Sequence, residues 1–243
     1  MAKTVLITGA SRGIGAATAR LFAEKGFNTA ICYNRGEEKA LALVSELTQK
    51  GFNAIAIKLD VCDSESCNKA INECVKAFGG INVLVNNAGI AQQKLITDIT
   101  NDDWNTMLNT NLSGVFYCCR AAAPYFISQK RGSIVNVSSM WGGTGASMEV
   151  HYSAAKAGVI GLTKALAKEL GPSNIRVNCI APGVIQTEMN NALSGETISS
   201  LCEDTPLCRI GNPEEIAKAI YFLAEEADFV TGQVLTADGG MTV

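Results

Sequence analysis

The sequence predicts an α/β protein: one doubly wound parallel sheet with helices on both faces. Three observations carry this expectation. Short β-rich runs alternate with helical stretches along the whole chain, the rhythm of repeated strand–helix–strand units. The strand candidates are apolar on both faces, as strands buried in a parallel sheet must be. A glycine-rich turn, Thr8-Gly9-Ala10-Ser11-Arg12-Gly13-Ile14-Gly15, stands between the first strand and the first helix.

Composition narrows the class further. Of 243 residues, 47% are hydrophobic and 18% charged, with a net charge of -3. Such a chain is not disordered. It also lacks the basic excess of a nucleic-acid binder, so no nucleic acid is expected as partner. No apolar run approaches the ~18 residues of a membrane helix, and the first residues show no signal peptide. There is no linker, charge block or internal repeat, which predicts a single domain over 1–243. The nine cysteines are odd in number and include no Cys-x-x-Cys pair. Free thiols and a cytoplasmic setting follow. With His151 as the lone histidine, no metal site is expected.

Strands are expected at 4–8, 28–33, 53–58, 83–86, 133–137, 176–180 and 234–237. Helices are expected at 14–25, 37–50, 64–78, 102–127 and 152–170, and again after the cap-like Asn212-Pro213-Glu214-Glu215. After the first strand, Gly9 permits a tight turn. Gly13 lets backbone N–H groups approach a pyrophosphate, and Gly15 allows close helix–sheet packing. Ser11 and Ile14 complete this loop, and the helix dipole favours the anion. The second strand ends Cys32-Tyr33-Asn34-Arg35, without the acid that would bind a ribose 2′-hydroxyl. Arg35 and Arg12 can instead grip a 2′-phosphate, which favours NADP(H) over NAD(H). Solvated surface charges are the alternative, with Glu37 and Glu38 close by.

The third strand leads to Asp60-Val61, placed for an adenine ring, although Asp60 serves equally well as a turn or capping residue. The fourth ends in Asn86-Asn87-Ala88-Gly89 at the middle of the sheet, where the strand order should reverse and ligands bind. Ser139 follows the fifth strand. In Tyr152-Ser153-Ala154-Ala155-Lys156, a spacing of four puts Tyr152 and Lys156 on one helix face. A phenol near pKa 10 is a poor acid at neutral pH, and a nearby ammonium lowers that value. Tyr152 could then protonate a developing alkoxide, with Ser139 orienting the carbonyl. On its own the pair reads more simply as an amphipathic surface feature. His151 is expected in the first helical turn, pointing partly away from the site. The stretch 186–208 breaks the strand–helix rhythm and suits a lid.

Taken together, these motifs resemble the short-chain dehydrogenase/reductase family over essentially the whole chain. Residues 8–15 match its Thr-Gly-x-x-x-Gly-x-Gly, and 86–89 its Asn-Asn-Ala-Gly. Asn111, Ser139, Tyr152 and Lys156 match its catalytic tetrad in order and spacing. The resemblance implies a Rossmann-like, seven-stranded sheet and a cofactor site containing Gly9, Ser11, Arg12, Gly13, Ile14, Gly15, Asn34, Arg35, Asp60, Val61, Asn87, Ala88, Gly89, Tyr152 and Lys156. Pro182, Gly183 and Thr187 would touch the nicotinamide carboxamide. It further implies hydride transfer to a carbonyl carbon, with Tyr152 as proton donor and Ser139 holding the carbonyl oxygen. Lys156 would bind the nicotinamide ribose and lower the Tyr152 pKa, and Asn111 would hold a water leading to Lys156. A homotetramer built on the Ala-rich helices and the last strand is implied as well.

Within the family the chain is most similar to bacterial 3-oxoacyl-acyl-carrier-protein reductases, through 111–116, 176–183 and Asp238-Gly239-Gly240-Met241. The implied reaction is reduction of a 3-oxoacyl thioester on acyl-carrier protein or CoA. The alternatives are another ketone or alcohol (sugar, steroid or small alcohol) and a non-catalytic NADP-sensing module. The segment 145–151 departs from those reductases. So does Ser173, where a basic residue often faces the acidic carrier; Lys130 and Arg131 are the substitutes expected here.

Overall fold

The computed structural model describes residues 2–188 and 194–243. Its strands are β1 Thr4–Ile7, β2 Asn28–Tyr33, β3 Ala54–Lys58, β4 Val83–Asn86, β5 Gly132–Val137, β6 Ile175–Pro182 and β7 Val234–Ala237. They form one sheet in the order β3-β2-β1-β4-β5-β6-β7. All six pairings are parallel. The chain runs outward from β1 to β3, then returns to the other side of β1 with β4. The order therefore reverses between β1 and β4, and a crevice opens there at the carboxyl edge.

Helices α1 Gly13–Glu24, α2 Glu37–Gln49 and α9 Pro213–Tyr221 cover one face; α3 Ser64–Phe78, α5 Gly114–Gln129 and α7 Val150–Leu170 cover the other. The strand period of two divides the apolar residues between the faces. Val5 and Ile7 of β1, Val83 and Val85 of β4, and Val135 of β5 meet Phe22, Leu47 and Ile220. Leu6, Leu84 and Ile134 point the other way, onto Ile71, Phe126 and Leu170. Every residue of β1, β2, β4 and β5 is buried, as expected of strands covered on both faces.

The expected helix at 102–127 is more structured than its composition suggests. It comprises α4 Asn101–Leu108, a π-turn Asn109–Ser113 and α5. Thr100 and Asp103 close a capping box at its start, and the buried Asn111 lies in the π-turn. A short α6 Trp141–Thr144 links β5 to α7, and α8 Gly195–Asp204 follows β6. The lid expected at 186–208 thus contains a helix, and its residues 189–193 lie outside the described residues. All nine cysteines are free thiols, six of them buried. Cys118 faces Cys67 across α3 and α5, at 3.6 Å, rather than its neighbour Cys119. No helix among the described residues is long and apolar enough to cross a membrane.

Candidate active site

The crevice begins with a lock between the ends of β1 and β4. Thr8 Oγ1 accepts from the backbone N–H of Asn87 at 3.0 Å and of Ala88 at 2.9 Å. The Asn87 amide donates back to the carbonyls of Thr8 and Gly9, both at 3.0 Å. This brings the glycine loop against residues 87–89. Gly9 has φ +63°, and a Cβ there would stand 2.8 Å from Ala88 Cα; at Gly15 it would stand 2.5 Å from the Gly9 carbonyl oxygen. Both glycines are therefore required by backbone proximity. Gly13, at φ +55°, faces the Thr187 methyl. Asn86 plays a different part: it points inward, donating to Asn136 Oδ1 at 2.9 Å and to Cys119 Sγ at 3.2 Å.

Beside this loop is a cleft of about 370 Å³ whose lining includes Ser11, Arg12, Gly13, Lys39, Thr187 and Glu188. Arg12 lies 3.4 Å from the Glu188 carboxylate, and Lys39 donates to both of its oxygens at 2.7 Å. The Lys39 ammonium, then Arg12, holds the Glu188 carboxyl below its usual range. Lys39 was not legible as a site residue. In sequence it is one more charge on the exposed face of an amphipathic helix. Asn34 and Arg35 are exposed at the tip of β2.

Asp60 Oδ1 accepts from Cys62 N at 3.0 Å, the turn role that its sequence allowed. Val61 is buried where Gly114 opens α5. Pro182 ends β6 and Gly183 follows it. The Pro182 carbonyl accepts from Met140 N at 3.0 Å, and a Cβ on Gly183 would come within 2.6 Å of Asp238 Cα. Gly183 is thus needed for the approach of the C-terminal segment.

Ser139, Tyr152 and Lys156 come together above β5 and α7. Lys156 is buried, and its Nζ donates to the Val137 carbonyl at 2.9 Å. Its ammonium lies 5.7 Å from the centroid of the Tyr152 ring. Burial pulls Lys156 down to about 8. Burial also pushes the Tyr152 phenol up to about 12, opposed by a hydrogen bond from Ser139. The direction is opposite to the lowering that an adjacent ammonium alone would give. The phenol is accordingly held in its protonated form, against Ser139.

Asn111 is buried beneath Ile90. Its Oδ1 accepts from Ile90 N and its Nδ2 donates to Ile90 O, each at 2.8 Å. The amide thus fastens the loop that follows β4. Gly89 separates it from the amine: a Cβ there would be 2.9 Å from Asn111 Oδ1 and 3.5 Å from Lys156 Nζ.

His151 lies in the first turn of α7 and is completely buried, with Nε2 3.0 Å from Gln92 Oε1. Lys130 and Arg131 immediately precede β5, so within one subunit they lie at the opposite edge of the sheet from Ser139. Ser173 precedes β6 at that same edge.

The glycine cradle, with positive φ at Gly9 and Gly13 and no room for side chains at Gly9 and Gly15, fits a dinucleotide pyrophosphate. Comparison with known proteins agrees. Residues 9–242 match a family model described as Enoyl-(Acyl carrier protein) reductase. The chain is 43% identical over 242 residues to a 3-oxoacyl-[acyl-carrier-protein] reductase of Staphylococcus aureus, covering 99% of this chain and 98% of that one. Its identity to the reductase of that name in Chlamydia trachomatis is 41% over 240 residues, covering 98% and 97%. Among solved structures, a 3-oxoacyl-[acyl-carrier protein] reductase from Brucella melitensis superposes with a TM-score of 0.93 at 36% identity, covering 99% of this chain and 91% of that one. A gluconate 5-dehydrogenase from Burkholderia cenocepacia, in complex with NADP and tartrate, gives 0.94 at 37% identity, covering 99% and 95%. The chain belongs to the short-chain dehydrogenase/reductase family, whose oxidoreductases act on a CH–OH/C=O pair with a nicotinamide cofactor.

Proposed function

We propose that the chain is an NADPH-dependent reductase of 3-oxoacyl thioesters, carried on acyl-carrier protein or CoA. The observation that carries this reading is the convergence of Ser139, Tyr152 and Lys156 beside the glycine loop. A bound reduced nicotinamide supplies the hydride. The protein's own groups do the rest. Ser139 donates to the substrate carbonyl oxygen, and Tyr152 releases its phenolic proton to that oxygen as charge develops. Lys156 supplies positive charge below the ring and binds the ribose hydroxyls. Asn111 holds Ile90, and through it the loop over the amine.

Selectivity for the 2′-phosphate is assigned to Arg12 and Lys39, with Arg35 as the outer cation. Asn34, Asp60, Val61 and residues 87–89 line the adenosine half, and Pro182, Gly183 and Thr187 the carboxamide end. The thioester reading draws on the names of the reductases similar over the full chain. It also draws on Leu95, Ile96 and Met148, apolar side chains left exposed on the two segments that flank the crevice. A cytoplasmic homotetramer suits the exposed Trp104 on α4, Phe116 on α5 and Leu235 on the free β7 edge.

The test is turnover of an acetoacetyl thioester with NADPH, followed by loss of reduced-nicotinamide absorbance, against a panel of sugar acids and alcohols. Faster turnover of any of these, or a better kcat/KM with NADH, overturns the reading.

A further inference from the structure

We propose that His151 and Gln92 form a positioning strut that fixes the substrate wall of the crevice and so sets thioester affinity. The inference rests on the reading of Ser139 and Tyr152 as the substrate site. His151 precedes the tyrosine and is completely buried at the start of α7. Its Nε2 lies 3.0 Å from Gln92 Oε1. The amide of Gln92 cannot be turned around, because its Nε2 donates to Asp103 Oδ1 at 3.1 Å and a carboxylate only accepts. Gln92 therefore presents its oxygen to the ring, and the ring must donate from Nε2. Nδ1 is buried without a partner. The other end of the strut is anchored too. Lys94 donates to Asp103 Oδ2 at 2.7 Å, and Asp103 is the capping-box acid of α4. Lys94 holds the Asp103 carboxyl well below its usual range.

The strut runs from the first turn of α7, through the loop after β4, to the first turn of α4. Two further contacts lie alongside it: Lys94 N to the Met148 carbonyl at 2.8 Å, and Gln93 Nε2 to Glu149 Oε1 at 3.2 Å. Together they press residues 92–94 against 148–151. Leu95 and Ile96 follow directly on one strip and Met148 belongs to the other. The separation of these apolar side chains is thereby set by a hydrogen bond whose donor is adjacent to Tyr152. His151 touches neither hydride acceptor nor cofactor in this scheme; it acts through Gln92.

The test compares wild type with His151→Phe, which keeps a ring but loses the donor, His151→Gln, which can restore one, and Gln92→Leu on the more exposed side of the strut. His151→Phe, which deletes the donor, and Gln92→Leu, which deletes the acceptor, are both expected to raise the thioester KM about tenfold, with kcat within about twofold, the pattern of lost uniform binding. The KM for NADPH should not move, and His151→Gln should recover most of the loss. Hydrogen exchange, which needs no substrate, should show the amides of 90–94 exchanging about tenfold faster in His151→Phe and Gln92→Leu. Unchanged exchange there overturns the strut. So does a fall in kcat at constant KM, which would put the ring in the chemistry, or an equal rise in both KM values, which would mean general loosening. If wild type turns over no thioester, the proposed substrate fails, while the exchange measurement still decides the strut.

Discussion

The Lys156 ammonium donates to the carbonyl of Val137, the last residue of β5, at 2.9 Å. The bond returns at the next residue, where Ser138 Oγ donates to the Lys156 carbonyl at 2.8 Å. Helix α7 is thus stitched to the strand end that delivers Ser139, and the amine is held under the Tyr152 ring. A buried cation is a stability liability.

Lys156→Met should abolish turnover and raise stability. The folded-state pKa is about 8 against 10.5 for a free lysine, a difference corresponding to about 3 kcal/mol. The unfolded chain binds more protons than the folded one between these values. Wild-type stability therefore rises with pH from about 8 to 10.5, and the full burial penalty applies below 8. Methionine removes the penalty but leaves the Val137 carbonyl short of a donor, so a net gain of about 1–3 kcal/mol at neutral pH is expected. Urea unfolding at neutral pH and near pH 10 checks it: the advantage of the variant should shrink at the higher pH.

Tyr152→Phe should lower kcat by about 10²–10⁴ while leaving NADPH binding intact, the usual scale for a lost general acid. With the phenol pushed up to about 12, it stays protonated across the working range. Reduction should then be flat with pH until Lys156 loses its charge near 8, and fall above it. Alcohol oxidation needs phenolate and should keep climbing through that region. Profiles of kcat/KM in both directions test this; reduction that strengthens above pH 9 would remove Tyr152 from the donor role.

The fold was legible because its strands are buried on both faces and its turns carry glycines that no other residue can replace. Gly9 and Gly15 announce their contacts in the sequence, since both positions need the missing Cβ. What stayed hidden are contacts between segments far apart in the chain. Lys39 meets Glu188, 149 residues away, and Gln92 meets His151, 59 away. No local period or spacing encodes either pair. The sheet edge shared by Lys130, Arg131 and Ser173 was hidden in the same way: charge type is visible in sequence, but the edge on which it falls is not.

Glu188→Gln should tighten NADPH. The carboxylate occupies Arg12 and Lys39, the cations assigned to the 2′-phosphate. Exposed pairs of this kind are weak, so a two- to fivefold (about) lower KM for NADPH is expected, with NADH unaffected. Arg12→Ala acts in the opposite sense: loss of a charge-assisted contact should reduce the NADPH-to-NADH preference about tenfold or more. Initial rates with both cofactors decide, and an equal change for both would move the phosphate site elsewhere.

Gly9→Ala should destabilise the protein by about 2–5 kcal/mol. A left-handed conformation strains any side chain by about 1–2 kcal/mol. Gly26 shares such a φ, at +84°, with nothing within 4 Å of its would-be Cβ, so Gly26→Ala isolates that backbone contribution. At Gly9 the added carbon also comes 2.8 Å from Ala88 Cα, where backbone must give way, adding about 1–3 kcal/mol of overpacking. The shift would separate β1 from β4 at the Thr8–Asn87 lock, so NADPH affinity should fall along with stability in Gly9→Ala but not in Gly26→Ala. Urea midpoints and nucleotide titrations on the two variants test the claim. Equal destabilisation in both, with unchanged nucleotide binding, would show that the contact between the glycine loop and Ala88 has no part in forming the site.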